Sequence, residues 1–285
     1  MAYRPSPTVR ARRLRYELQR LRKRSGLTIE QVAERARDYS TSAISRWENG
    51  ERRIRPADLG VLLDVYEVSD AEREVLLTLA REARLRGWWQ QYGGAIPPWF
   101  QVFVGLESGA ESVHTYGAEL IPGLLQTPDY HRAFLEAAPA AGDQDMIEQQ
   151  IAVRTARQER LTGDNPLTFW AVINEAVIRR VVGGPDVMRA QLHHVADMAT
   201  RPHVNVQVLT FRSGAHPAMD GGFTILSFPE TDDPDVGYIE SQAGSLYLEE
   251  RQPVERYTLM HRFLVAKALD PDESRDLITA VANEL

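Results

Sequence analysis

Residues 27–50 read LTIEQVAERARDYSTSAISRWENG, and this stretch limits the fold more tightly than any other. Apolar Ile29, Val32, Ala33 and Ala36 recur at helical spacing. Thr28 stands before them as an N-cap, and Gln31, three positions on, completes a capping box. After a polar turn, Ser40 is the predicted cap of a second short helix that turns Ile44 and Trp47 inward, and Asn49-Gly50 ends it. Two helices packed across a short turn, the second with small polar and basic side chains on its outer side, have a shape that fits the major groove of B-DNA.

The flanking sequence extends this pair into a bundle. A helix is predicted over residues 9–24, with Leu14, Leu18 and Leu21 on one face and Gly26 beyond its end. Residues 1–8 are expected to lack regular structure, because Pro5 and Pro7 obstruct it. Pro56 opens a fourth helix with Leu59, Leu62, Leu63 and Tyr66 buried, and Ser69 with Glu72 opens a fifth that reaches about residue 85. The expectation is an all-α five-helix domain over residues 1–86. The segment GWWQQYGGAIPPWF then breaks the helical pattern and marks a domain junction, where its tryptophans pack.

Residues 87–285 alternate differently. Strands are predicted at 111–120, 167–173, 204–209, 223–228, 236–240 and 245–248, with helices at 128–138, 143–161, 174–182, 186–200, 253–268 and 271–283. Several strands follow one another without a helix between them. The fold class is therefore an α+β domain with a mixed or antiparallel sheet, not a doubly wound parallel one.

Charge divides along the same line. The net charge of −7 hides 15 basic against 6 acidic residues in positions 1–55, and 18 against 34 in the rest. A basic front end on an acidic body suggests that only the front end meets a polyanion. The chain has no cysteine, which excludes disulfides, thiol catalysis and thiolate metal sites and suits a reducing cytoplasm. No apolar run approaches the roughly 18–20 residues that span a bilayer, and the basic N-terminus lacks the apolar stretch of a secretory signal.

The segments LRKRSGLTIEQVAERA and STSAISRWENG resemble the DNA-binding domain of phage-repressor type, the XRE-family helix-turn-helix, over roughly residues 14–66. The resemblance implies that Thr41, Ser42 and Arg46 face base edges, with Ser45 on a base or a phosphate. It places Thr28, Arg53, Arg55 and the amides of Asn49 and Gly50 on the DNA backbone. Arg22 and Glu48 occupy positions that form an ion pair in that family, and Arg22 either supports the fold or touches phosphate itself. Two departures stand out: Ile29 replaces a glutamine that touches phosphate, and Arg37, Asp38 and Tyr39 lengthen a turn that usually holds a glycine.

In the large domain, LIPGLLQTPDY (120–130), Arg154, Arg157-Gln158, GAHP (214–217) and GGFTILSFP resemble the C-terminal domain of actinobacterial regulators of the WhiJ-like type. These are described as antitoxin-like and are often encoded beside a small partner protein. Arg154 and Arg157 could face an acidic ligand or partner, or pair with nearby glutamates. His216 could contact a ligand or cap a turn. His193, His194 and Asp197 could gather on one helix, but no third metal ligand accompanies them. Gly183-Gly184-Pro185 lacks the lysine and the preceding strand of a phosphate loop. No cofactor, metal or catalytic set is implied. The reading is a cytoplasmic transcriptional regulator that binds double-stranded DNA as a homodimer, with a large domain that responds to a small-molecule effector or a partner protein. An antitoxin that sequesters its partner and represses its own operon is the alternative, and an enzyme in the large domain is disfavoured.

Overall fold

The computed structural model describes residues 6–138, 143–230, 233–241 and 243–285. The chain forms two compact units, divided between Gln90 and Gln91.

In the first unit four of the five helices start at a side-chain cap, and α4 starts at Pro56 instead. The helices are α1 (Pro7–Arg24), α2 (Ile29–Ala36), α3 (Thr41–Glu48), α4 (Pro56–Val65) and α5 (Asp70–Ala83). Side-chain oxygens of Ser6, Thr28, Ser40 and Ser69 each accept a hydrogen bond from an amide in the first turn, satisfying donors that have no partner within the helix. Thr28 and Gln31 form a reciprocal capping box. The expectation for residues 1–8 needs correction in its described part. Pro7 is the first residue of α1 and Ser6 its cap, because proline's missing N–H costs nothing at that position. Residues 1–5 lie outside the described ones.

Leu14, Leu18 and Leu21 of α1 meet Val32, Ile44, Trp47, Leu59, Leu62, Leu63, Leu76 and Leu79 in one core. At roughly 1.5–3 kcal/mol per fully buried large apolar side chain, this cluster is what holds five short helices together.

The second unit is an α+β domain. Short 3-10 turns over Trp88–Ala95 lead into α6 (Pro98–Gly109), β1 (Ser112–Gly117), α7 (Pro128–Glu136), α8 (Gln144–Thr162), β2 (Thr168–Asn174), α9 (Glu175–Arg179), α10 (Pro185–Met198), β3 (Val204–Leu209), β4 (Phe223–Ser227), β5 (Val236–Ser241), β6 (Gly244–Leu248), α11 (Arg251–Lys267) and α12 (Pro271–Glu284). The six strands form one mixed sheet in the order β3-β2-β1-β4-β5-β6. β1, β2 and β3 run parallel, in register Val113 to Phe169 and Phe169 to Val204. β4, β5 and β6 continue antiparallel. β2 and β3 carry nearly continuous buried apolar residues, as parallel strands covered on both faces do. The edge strand β3 is closed off: Val208 N–H donates to Ser274 Oγ (2.9 Å) and Leu269 N–H donates to Val208 O (3.0 Å), leaving fewer free backbone groups for a foreign strand.

α6 was not expected. Its Pro97-Pro98 reads as a breaker, yet Pro98 sits at the first helical position. This helix carries one half of the site described last below.

Candidate nucleic-acid interface

The turn between α2 and α3 is the departure from the usual pattern, and its geometry is defined. Arg37 adopts φ +56°, a conformation costly for a residue with a Cβ. Tyr39 holds the turn in place. Its ring packs edge-on against Trp47 at 5.0 Å, and its hydroxyl donates to buried Asp58 Oδ1 (3.0 Å). Asp58 also accepts from Arg55 Nε (2.7 Å) and Nη2 (2.9 Å). These bonds from Arg55, partly opposed by burial, hold the Asp58 carboxyl below its ordinary pKa. Tyr39→Phe keeps the ring and removes the donor, so it should cost about 1 kcal/mol in urea unfolding with the slope unchanged. An unaltered midpoint would show that the ring alone orients the turn.

α3 then presents two unlike faces. Ile44, Trp47 and Glu48 are buried. Thr41, Ser42 and Arg46 are exposed and Ser45 is half-buried. Positions 41 and 45, like 42 and 46, are one helical turn apart and share the outer face. Arg46 Nε donates to Ser42 O (3.2 Å), and its terminal nitrogens make no hydrogen bond among the described residues. Asn49 Nδ2 donates to Ser45 Oγ (3.2 Å).

Behind α3, Arg22 grips Glu48 in bidentate fashion (Nε to Oε1 2.7 Å, Nη2 to Oε2 2.9 Å) and donates from Nη1 to Leu27 O (3.2 Å). The bonds to Glu48 outweigh burial and raise the Arg22 pKa. Gln19 Nε2 donates to the Glu48 carbonyl (2.6 Å). Arg22 thus fastens α1 to the C-terminal end of α3.

Several of the expected backbone contacts have partners within the protein. The amides of Asn49 and Gly50 donate to Ser45 O (2.9 Å) and Trp47 O (3.3 Å), closing the end of α3. Arg53 Nη1 donates to Ala83 O (2.8 Å), tying it to the end of α5. Arg55 is committed to Asp58, although its side chain stays 64% exposed. The Thr28 hydroxyl accepts from Gln31 N–H (3.3 Å) within its capping box. Arg52 was not among the expected contacts. It is exposed, its amide donates to Arg46 O (3.2 Å), and its guanidinium has no partner among the described residues. Its only signal was membership in the Arg52-Arg53 pair.

In the second unit, Arg154 and Arg157 come together on α8, and His216 does not join them. Arg157 is buried and paired with Glu107 of α6 through Nε to Oε1 (2.7 Å) and Nη2 to Oε2 (2.8 Å), which removes it from open recognition. Its guanidinium also lies over the rings of Phe100 and Phe103. His216 packs edge-on against Tyr116, with Nε2 3.4 Å from the hydroxyl. His193 is exposed and His194 half-buried on α10. Among the described residues, no group of three or more His, Asp or Glu could hold a metal ion. No helix among them is long and apolar enough to cross a membrane.

The first unit therefore defines the class: residues 13–76 match the family described as a helix-turn-helix domain, and the protein carries a DNA-binding module of that kind. Residues 100–280, well over half the chain, match the family described as Domain of unknown function (DUF5753), and the chain belongs to that family. No curated protein and no solved structure matches the chain.

Proposed function

We propose that this protein is a sequence-specific transcriptional regulator of the XRE, WhiJ-like kind, and that α3 is its recognition helix. The observation that carries the reading is the outer face of α3. Thr41, Ser42 and Arg46 stand exposed on a helix whose inner face is locked into the core. The basic excess of residues 1–55 supplies the attraction for phosphate. Arg46 is the proposed reader of guanine, and Arg52 a backbone contact.

An eight-residue helix is about 12 Å long and spans three or four base pairs at about 3.4 Å each. One copy reads too little for a genomic address, which favours a homodimer on two half-sites about one helical turn or a multiple apart. The large unit, in this reading, supplies dimerisation and a response to a signal rather than catalysis. A signal acts only if it prefers one arrangement of the paired first units over another.

Two substitutions test the assignment. Arg46→Ala should cost about 1–3 kcal/mol of discrimination at one operator position. Arg52→Ala should weaken specific and random duplexes alike and lower the salt slope by about 1. Equal losses on both duplexes for Arg46→Ala would defeat its role as a base reader.

A further inference from the structure

The second unit contains a cavity of about 200 Å³ between α6, α7 and α8. It is smaller than the roughly 300–1,000 Å³ of sites for drug-sized ligands, so it suits a molecule with a single ring. Trp99, Phe100 and Phe134 form apolar walls, and Phe134, 39% exposed, stands at the mouth. Three of its polar lining residues differ in how they are satisfied.

The first is Arg154. Arg157 beside it is neutralised by Glu107, whereas Arg154 forms no hydrogen bond or ion pair among the described residues. Burial, and then the like charge of Arg157, lower its pKa to about 9, partly offset by the carboxylates of Glu107 and Glu240, so it remains a cation at neutral pH with no directly paired counter-ion. The second is His131, 3% exposed, whose Nδ1 has no hydrogen-bond partner. Burial and the two nearby arginines keep it neutral, with its pKa lowered to about 3. The third is Glu240, an exposed carboxylate on the rim that accepts from the Tyr238 hydroxyl (3.0 Å). It attracts Arg154 from a distance without pairing with it.

Gly123 leaves room for the Arg154 guanidinium. Gly123 lies so close to Arg154 that a methyl group there would overlap Nη1. One turn further along α8, Gln158 donates to the Gln126 carbonyl and fixes the 123–126 segment against the helix. The LIPGLLQTP segment and the Arg154/Arg157-Gln158 segment are thus one construction, which holds a guanidinium at the wall of an apolar cavity.

We propose that this cavity binds a small organic acid, with its carboxylate on Arg154 and its ring against Trp99, Phe100 and Phe134. The assignment rests on the reading of the second unit as the signal-responsive part and gives that signal a chemical class. A carboxylate supplies the directly paired counter-ion that Arg154 lacks.

The test is calorimetric titration of the full-length protein with benzoate, phenylacetate and cinnamate, each paired with its uncharged primary amide. At least one acid should bind and its amide should not. Arg154→Gln should weaken that acid about tenfold or more, Arg154→Lys should retain part of the affinity, and Gly123→Ala should weaken it by displacing the guanidinium. Without ligand, Arg154→Gln should melt no lower than the natural protein, because it deletes a charge with no directly paired counter-ion, and this separates lost binding from lost folding. Silence from all three acids, equal binding of acid and amide, or undiminished binding by Arg154→Gln would each overturn the proposal. DNA affinity is measured on the same samples with a duplex selected by the natural protein. An acid that binds and leaves that affinity unchanged would uphold the pocket and overturn its role as sensor. A protein that ignores the acids and still binds DNA would overturn the pocket alone.

Discussion

Glu107→Ala should destabilise the second unit by about 3–5 kcal/mol, because it strands a buried guanidinium. Arg157 is 4% exposed and Glu107 2% exposed, and the pair is a bidentate link between α6 and α8. Burial opposes the Arg157 charge, and the adjoining Glu107 carboxylate more than offsets this, raising its pKa. Removing the carboxylate leaves the desolvation cost with nothing against it. Replacing both members with apolar residues of similar volume, Glu107→Leu with Arg157→Met, should recover most of the loss. Thermal unfolding monitored by near-ultraviolet circular dichroism checks both. If Glu107→Ala melts like the natural protein, water reaches Arg157 and the pair is not the clamp described.

Ser42→Glu should abolish DNA recognition on the order of 100-fold or more while leaving the fold intact. A carboxylate in the groove faces phosphates and base-edge acceptors, and like charges brought together cost several kcal/mol. Ser42 is exposed in the first turn of α3, where a negative charge favours the helix dipole. The substitution should therefore keep or slightly raise the melting temperature, so a lost shift in a gel assay cannot be attributed to unfolding. Retained affinity would place the interface elsewhere on the protein.

Local signals in the sequence were sufficient for the bundle. Ser40, Ser69 and the Thr28–Gln31 box act over three residues, and the leucines of α1 repeat within one helix, so both can be read from neighbours alone. The succession of strands without helices in the C-terminal part likewise implied antiparallel pairing, which appears as β4-β5-β6. What was illegible depends on distance along the chain. Tyr39 finds Asp58 across 19 residues and Arg157 finds Glu107 across 50, and no periodicity selects one carboxylate among 40 acidic residues. α6 was hidden because a proline that starts a helix looks like one that stops it. Gly123 resembles a turn glycine until the guanidinium beside it is seen.

The central claim is that the outer face of α3 reads base sequence. The direct test is selection of binding sites from a random duplex library by the natural protein and by Arg46→Ala, at one salt concentration. The account predicts that the natural protein enriches a defined motif and that Arg46→Ala loses information at one position of each half-site while keeping the others. No enrichment by the natural protein, or an identical motif from both, would contradict it.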